Sequence, residues 1–184
     1  MEHRCLSPWR GAVAGGLIAF AWSAFSWTVL PFHAMTLSPF GDPAALVSVL
    51  AAGAPGSGAY LLANDPKGQT APTDPFVFVS YKKEGAGSRA AAMALGLLLQ
   101  MTGAFFWTWI LGKIPGLTIK DSALYGLFFG LCVGALGVLP GSVCWHLPWA
   151  FTAMSVADAA IAWTAASMVL SRCYAPACAL PKRP

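Results

Sequence analysis

The sequence predicts an all-α polytopic membrane protein, with four transmembrane helices and a long external loop that contains a short interfacial helix. Three observations carry this expectation. Hydrophobic residues make up 57% of the 184-residue chain and charged residues only 10%, against the roughly 45–50% apolar usage of soluble domains. The mean hydropathy is +0.63, and the charges gather in short segments where a solvated surface would need them spread. Between those segments lie four apolar runs of bilayer-crossing length.

The first run covers 11–30, has no charged residue, follows Arg4 and Arg10, and carries Trp22 and Trp27. About 20 residues rising 1.5 Å each match a hydrocarbon core of about 30 Å. No small-residue cleavage site follows, so the run reads as a retained anchor and not as a removed signal peptide. The other spans are 90–112, 122–139 and 149–171, each bounded by charge, proline or both, and Asp158 is the one charged residue in all four. Backbone amides in lipid must be satisfied within their own segment, which makes these runs helices. The expected organisation is one integral membrane domain over 1–184, a four-helix bundle.

The formal net charge of +4 does not point to nucleic acid, because Lys and Arg fall at the ends of apolar runs and form no basic stripe. They report orientation instead. Arg4, Arg10, Lys113, Lys120, Arg172, Lys182 and Arg183 flank one side, against Lys67, Lys82, Lys83 and Arg89 on the other. Seven against four places both termini in the cytoplasm of a bacterial-type inner (plasma) membrane. A rival reading makes 44–62 a fifth span, which reduces the bias to six against five. That stretch contains Gly53, Pro55, Gly56 and Gly58, and its clean apolar part, 44–54, is about half the length needed to cross. It is expected to be a short helix at the outer surface.

The loop 32–88 is long for a small bundle. Asp42 and Pro43 can start the interfacial helix through Leu46, Val47 and Leu50, and Pro55, Gly56 and Gly58 end it. Asn64 to Pro75 reads as a turn-rich exposed stretch. Phe76 to Tyr81 is strand-prone, with Phe76 and Phe78 on one face. It is expected to lie against the interface or the mouth of the bundle, or to serve as a lid that touches a partner.

Asp158 is the first candidate for chemistry, since an ionisable residue inside a transmembrane helix is costly and marks a functional hypothesis. It lies ten residues from Pro148, about 15 Å deep, where a charged carboxylate needs donors or water. Gln100 lies at a similar depth, Ser155 is one turn from Asp158, and Ser23 and Ser26 sit in the outer half of the first span with Thr102 near Gln100. The plainer reading of this cluster is interhelical hydrogen bonding, worth about 0.6 kcal/mol per bond on average. The sharper reading is a proton- or ion-handling site.

Gly126, Gly130 and Gly134 recur every four residues, with Gly137 nearby, and predict a smooth groove for close helix packing, against a helix of the same chain or of a second copy. His33 and His146 fall at helix ends on the expected outer side. They invite a metal or enzymatic site there, but lack the third ligand and spacing a zinc centre needs. Trp145 and Trp149 fit an outer aromatic belt; Trp22 and Trp27 either pack in the core or line a cavity beside Ser23 and Ser26. Cys5, Cys132, Cys144, Cys173 and Cys178 form no CxxC pair and read as ordinary thiols.

No phosphate loop, nucleophile elbow, His-Glu-x-x-His helix or dinucleotide fingerprint is present. No Arg lies within a span, and the spans show no internal repeat of the transporter kind. No cofactor or metal is called for. The leading expectation is a non-enzymatic membrane protein that acts by association with lipid, a second copy or another membrane protein. The alternatives are a small transporter or channel subunit centred on Asp158 and Gln100, and a membrane enzyme using His33 and His146.

Overall fold

The computed structural model describes residues 7–62 and 75–174. The chain runs α1 (Pro8–Thr28), α2 (Phe32–Met35), α3 (Pro43–Gly53), β1 (Gly58–Leu62), β2 (Val77–Tyr81), α4 (Arg89–Leu111), α5 (Ile119–Trp145) and α6 (Trp149–Tyr174). Of these, α1, α4, α5 and α6 are long and apolar enough to cross a membrane. Most of the turn-rich stretch at 64–75 and the terminal residues Arg4, Cys5, Cys178, Lys182 and Arg183 lie outside the described residues, as does Lys67.

Local chemistry sets the helix starts. Ser7, Asp42, Ser88 and Thr118 each cap a helix by accepting a backbone N–H two or three residues into the first turn. Pro8 and Pro43 supply a first-turn residue whose missing N–H costs nothing there. At α5 the cap is reciprocal, since Asp121 also accepts from the Thr118 backbone N–H.

The structure corrects two expectations and leaves a third as it was. The third span does not stop at residue 139: α5 continues through Pro140 to Trp145, 27 residues or about 40 Å. Proline is tolerated inside membrane-spanning helices, and past Pro140 the side-chain hydroxyls of Ser142 and Thr152 bond to each other, tying α5 to α6. The helix ends at His146, whose left-handed backbone (φ 54°) lets the Leu147 N–H return to the Gly141 carbonyl at 3.2 Å. As expected, 44–62 holds a short helix and none long enough to cross a membrane. The 11-residue α3 is about 16 Å long, and the chain then turns into β1.

Finally, the fold is not purely α-helical. β1 pairs antiparallel with β2 in the register Gly58↔Tyr81 to Leu62↔Val77. Only the second strand carries the alternating, aromatic pattern that announces a strand from sequence. The hairpin is tied at its base by Ser57, whose hydroxyl donates to Glu84 Oε2 at 2.6 Å and accepts from the Lys83 N–H at 2.9 Å. This bond, the Glu84 backbone N–H and the Lys82 charge together hold the exposed Glu84 carboxyl below its ordinary range. Phe76 and Phe78 rest against His146 and Trp145, with ring centroids 4.6 Å apart in both pairs. The hairpin therefore docks where α5 ends, called here the loop end.

The long helices run antiparallel in chain order, but their packing is unequal. α1 packs on α4, α6 packs on α1, and α5 packs on α6. Glycine permits each close approach. A Cβ at Gly16 would lie 2.7 Å from the Met101 Cα, and one at Gly11 would meet the Thr108 side chain at 2.1 Å. On α5, Cβ atoms at Gly126, Gly130 and Gly134 would lie 2.4–2.8 Å from atoms of α6. The glycine groove thus takes its partner from the same chain.

Consecutive helices α4 and α5 are bridged by side chains: Trp107 stacks on Phe129 at 4.2 Å, and Phe129 meets the edge of Trp163 at 4.8 Å. Trp107 also donates from Nε1 to Ser167 Oγ at 2.7 Å. Toward the loop end the two helices leave a gap, bordered by Leu99, Gln100 and Gly103 of α4 and by Phe129 and Val133 of α5. The buried core is small, built from Ala19, Ala104, Trp107, Leu111, Ala162, Trp163, Ala166 and Leu170, while many large apolar side chains face outward, as lipid contact requires.

Candidate functional site

Asp158 projects from the middle of α6 toward α1. Its Oδ1 accepts from Trp22 Nε1–H at 2.7 Å, a charge-assisted geometry when the carboxylate is ionised. Its Oδ2 lies 3.8 Å from His33 Nε2. That distance is longer than a hydrogen bond, and a shift of about 1 Å closes it to proton-transfer range. His33 Nε2 is also 3.2 Å from Ser26 Oγ, so the hydroxyl and the carboxylate compete for one ring nitrogen.

The position of His33 is a consequence of Pro31. Pro31 opens the one-turn helix α2, with the Met35 N–H bonded to the Pro31 carbonyl at 3.0 Å, and the chain folds back over the end of α1. His33 is 3% exposed and stacks on Trp27 at 3.9 Å between centroids. Its Nδ1 is buried without a partner. A His expected at the outer face is thus buried beside the Asp158 carboxylate.

Asp158 borders two cavities. The larger, about 390 Å³, receives Ser23 and Trp27 from α1, Gln100 from α4, Phe129 from α5, and Ser155 and Trp163 from α6. The smaller, about 110 Å³, lies between α1, α2 and α6 and is lined by Trp22, Ser26, His33 and Met154, among others. It is roomy enough for ordered water. Among the described residues the carboxylate is the one ionisable group common to both.

The residues singled out from sequence are therefore sorted. Asp158, Gln100, Ser155 and Ser23 share the larger cavity, and Ser26 belongs to the smaller one. Gln100 borders the same space as Asp158 without a hydrogen bond between them, and Ser155 Oγ is buried with no partner. Thr102 does not join them. Its hydroxyl donates back to the Leu98 carbonyl at 2.8 Å, and it faces an apolar groove with Trp9 and Phe105.

His146 does not meet His33. It caps α5, is exposed, and packs on Phe76, and among the described residues no group of three His, Cys, Asp or Glu is placed to hold a metal. The part sequence reasoning missed is the pairing itself: Trp22 as donor to Asp158, and His33 as its second neighbour. Trp22 and Ser26 share a helix face by their four-residue spacing, and Pro31 signals a reversal; together these were the available clues.

Comparison of the chain with protein-family models, with curated proteins and with solved structures finds no match.

Proposed function

We propose that this is a small polytopic membrane protein of the transporter or channel-subunit type, with Asp158 as an intramembrane site that exchanges a proton or an ion. The observation that carries this reading is the carboxylate between two cavities, held by Trp22 on one oxygen and faced by His33 on the other. A hydrogen-bonding strut needs partners but no adjoining space, whereas an exchange site needs both. In this reading Trp22 fixes the carboxylate, and His33 relays a proton between Asp158 and the smaller cavity. Gln100, Ser23 and Ser155 supply polar groups to the larger one.

The assignment is tested with protein in sealed liposomes that hold a pH-sensitive dye, under an imposed pH gradient. Wild-type protein is expected to carry protons faster than protein-free liposomes, and Asp158→Asn, which cannot titrate but keeps donor and acceptor groups, to fall to their rate with an unchanged melting temperature. Equal rates in the two proteins would leave association with lipid or another membrane protein as the better account.

The orientation proposed with it places both termini in the cytoplasm and the hairpin outside, from the Lys and Arg asymmetry. An impermeant thiol reagent applied to intact cells should label a cysteine placed at residue 67 and spare one placed at residue 182. The reverse pattern would overturn it.

A further inference from the structure

We propose that the larger cavity binds a small organic cation with an apolar body, admitted from the lipid through the gap between α4 and α5. The proposal rests on the reading of Asp158 as an exchange site and names the class of ligand that site takes. Size comes first. A volume of about 390 Å³ is far beyond a bare metal ion and lies in the range of small-molecule sites, about 300–1,000 Å³. An inorganic cation would also need several converging oxygens, and here one carboxylate stands among mostly apolar walls.

Charge comes second. Among the described residues Asp158 is the one ionisable residue lining the space, and no Lys or Arg borders it. An anion would be repelled by the ionised carboxylate, while a cation would be attracted to it. The walls suit such a guest, since the tryptophans Trp27 and Trp163 line the cavity, and aromatic faces attract ammonium groups most strongly where water is excluded. The buried, unpartnered Ser155 hydroxyl and the free Gln100 amide supply polar contacts that the protein leaves unused.

The route comes third. At the rim, Leu99 on α4 is 74% exposed and Val133 on α5 is 41% exposed. Space also remains beside Gly137, where an added Cβ would meet nothing within 4 Å. Trp107 stacked on Phe129 closes the gap farther from the loop end, so the opening faces lipid in the half of the bundle near the hairpin.

The test uses the full chain in lipid nanodiscs with tritiated benzyltrimethylammonium as probe, and neopentylbenzene, its uncharged carbon isostere, as competitor. Wild-type protein should bind the probe saturably above empty discs, and the isostere should not displace it. Asp158→Asn should weaken binding about tenfold or more, as expected for loss of a charged partner. Val133→Trp, at the rim and away from the carboxylate, should slow uptake even if Asp158→Asn fails to fold. Absence of saturable binding, equal competition by the isostere, or unchanged uptake in Val133→Trp would overturn the proposal. Proton movement in the dye-loaded liposomes remains a separate readout, so an inactive cation site and a failed exchange site give different results.

Discussion

Helix α6 presents two seams of opposite character. Toward α5 it offers Val156, Ala159, Ala160, Trp163 and Ser167 to three glycines, and the backbones touch closely enough that a Cβ at Gly130 would lie 2.5 Å from the Ala159 carbonyl oxygen. Toward α1 and α2 it offers Met154, Asp158 and Ile161, and there the contact is a hydrogen bond, a carboxylate oxygen 3.8 Å from an imidazole nitrogen, and two bordering cavities. In lipid, helices gain little from hydrophobic burial and associate through packing and polar contacts. The close seam therefore fixes where α6 sits, and the open seam is free to hold a carboxylate with space around it.

The strongest way to break this comparison is Gly130→Leu, which inserts a side chain where two backbones meet. It should cost about 3 kcal/mol or more, at the upper end of overpacking effects. Leu131→Ala, at a position 38% exposed, should cost well under half of that, and Gly137→Ala should be near neutral because nothing lies within 4 Å of the added atom. Denaturation of the purified protein in mild detergent ranks the three. Similar losses at 130 and 131 would mean that the glycine seam is not a close contact.

A smaller effect sharpens the other seam. Trp22→Phe keeps an aromatic ring but removes the donor to Asp158 Oδ1, for an expected loss of about 1–2 kcal/mol. Combined with Asp158→Leu, it should cost little more than Asp158→Leu alone, because the interaction is already gone. Strict additivity in that double-mutant cycle would show that the 2.7 Å bond contributes nothing measurable.

The smallest effect lies outside both seams, at the base of the hairpin. The Ser57 hydroxyl is the main reason the Glu84 carboxyl is held below its ordinary value of 4.5. A lowered carboxylate favours the folded hairpin above that ordinary value, and the contribution fades as pH falls through the folded-state value. Ser57→Ala should move the Glu84 midpoint upward toward 4.5 in an NMR titration, with no change in the bundle. An unmoved midpoint would remove Ser57 as its cause.

What the sequence determined by itself was the set of long helices, most of their ends and the glycine groove. Apolar runs, capping residues and a four-residue glycine repeat are local and periodic, and lipid leaves a long apolar segment no alternative to a helix. The short helix α3 was equally legible from Asp42–Pro43 and the Pro55–Gly58 terminator. Pro140 misled because a local breaker signal was weighed without the Ser142–Thr152 contact that holds the helix beyond it. β1 was hidden because its partner strand lies beyond the intervening stretch at 63–76, and pairing register has no local mark in a strand so short.

For the candidate site, sequence placed Asp158 and Gln100 at one depth and left open whether they met. Tertiary structure decided the rest. α4 and α5, neighbours in sequence, part from one another and create the larger cavity, while Pro31 turns His33 back onto Trp27 and within 3.8 Å of Asp158. Neither outcome has a periodicity to read. Each depends on which helix faces which, and that is settled by close packing between residues far apart in the chain, most visibly where glycine lets two backbones touch.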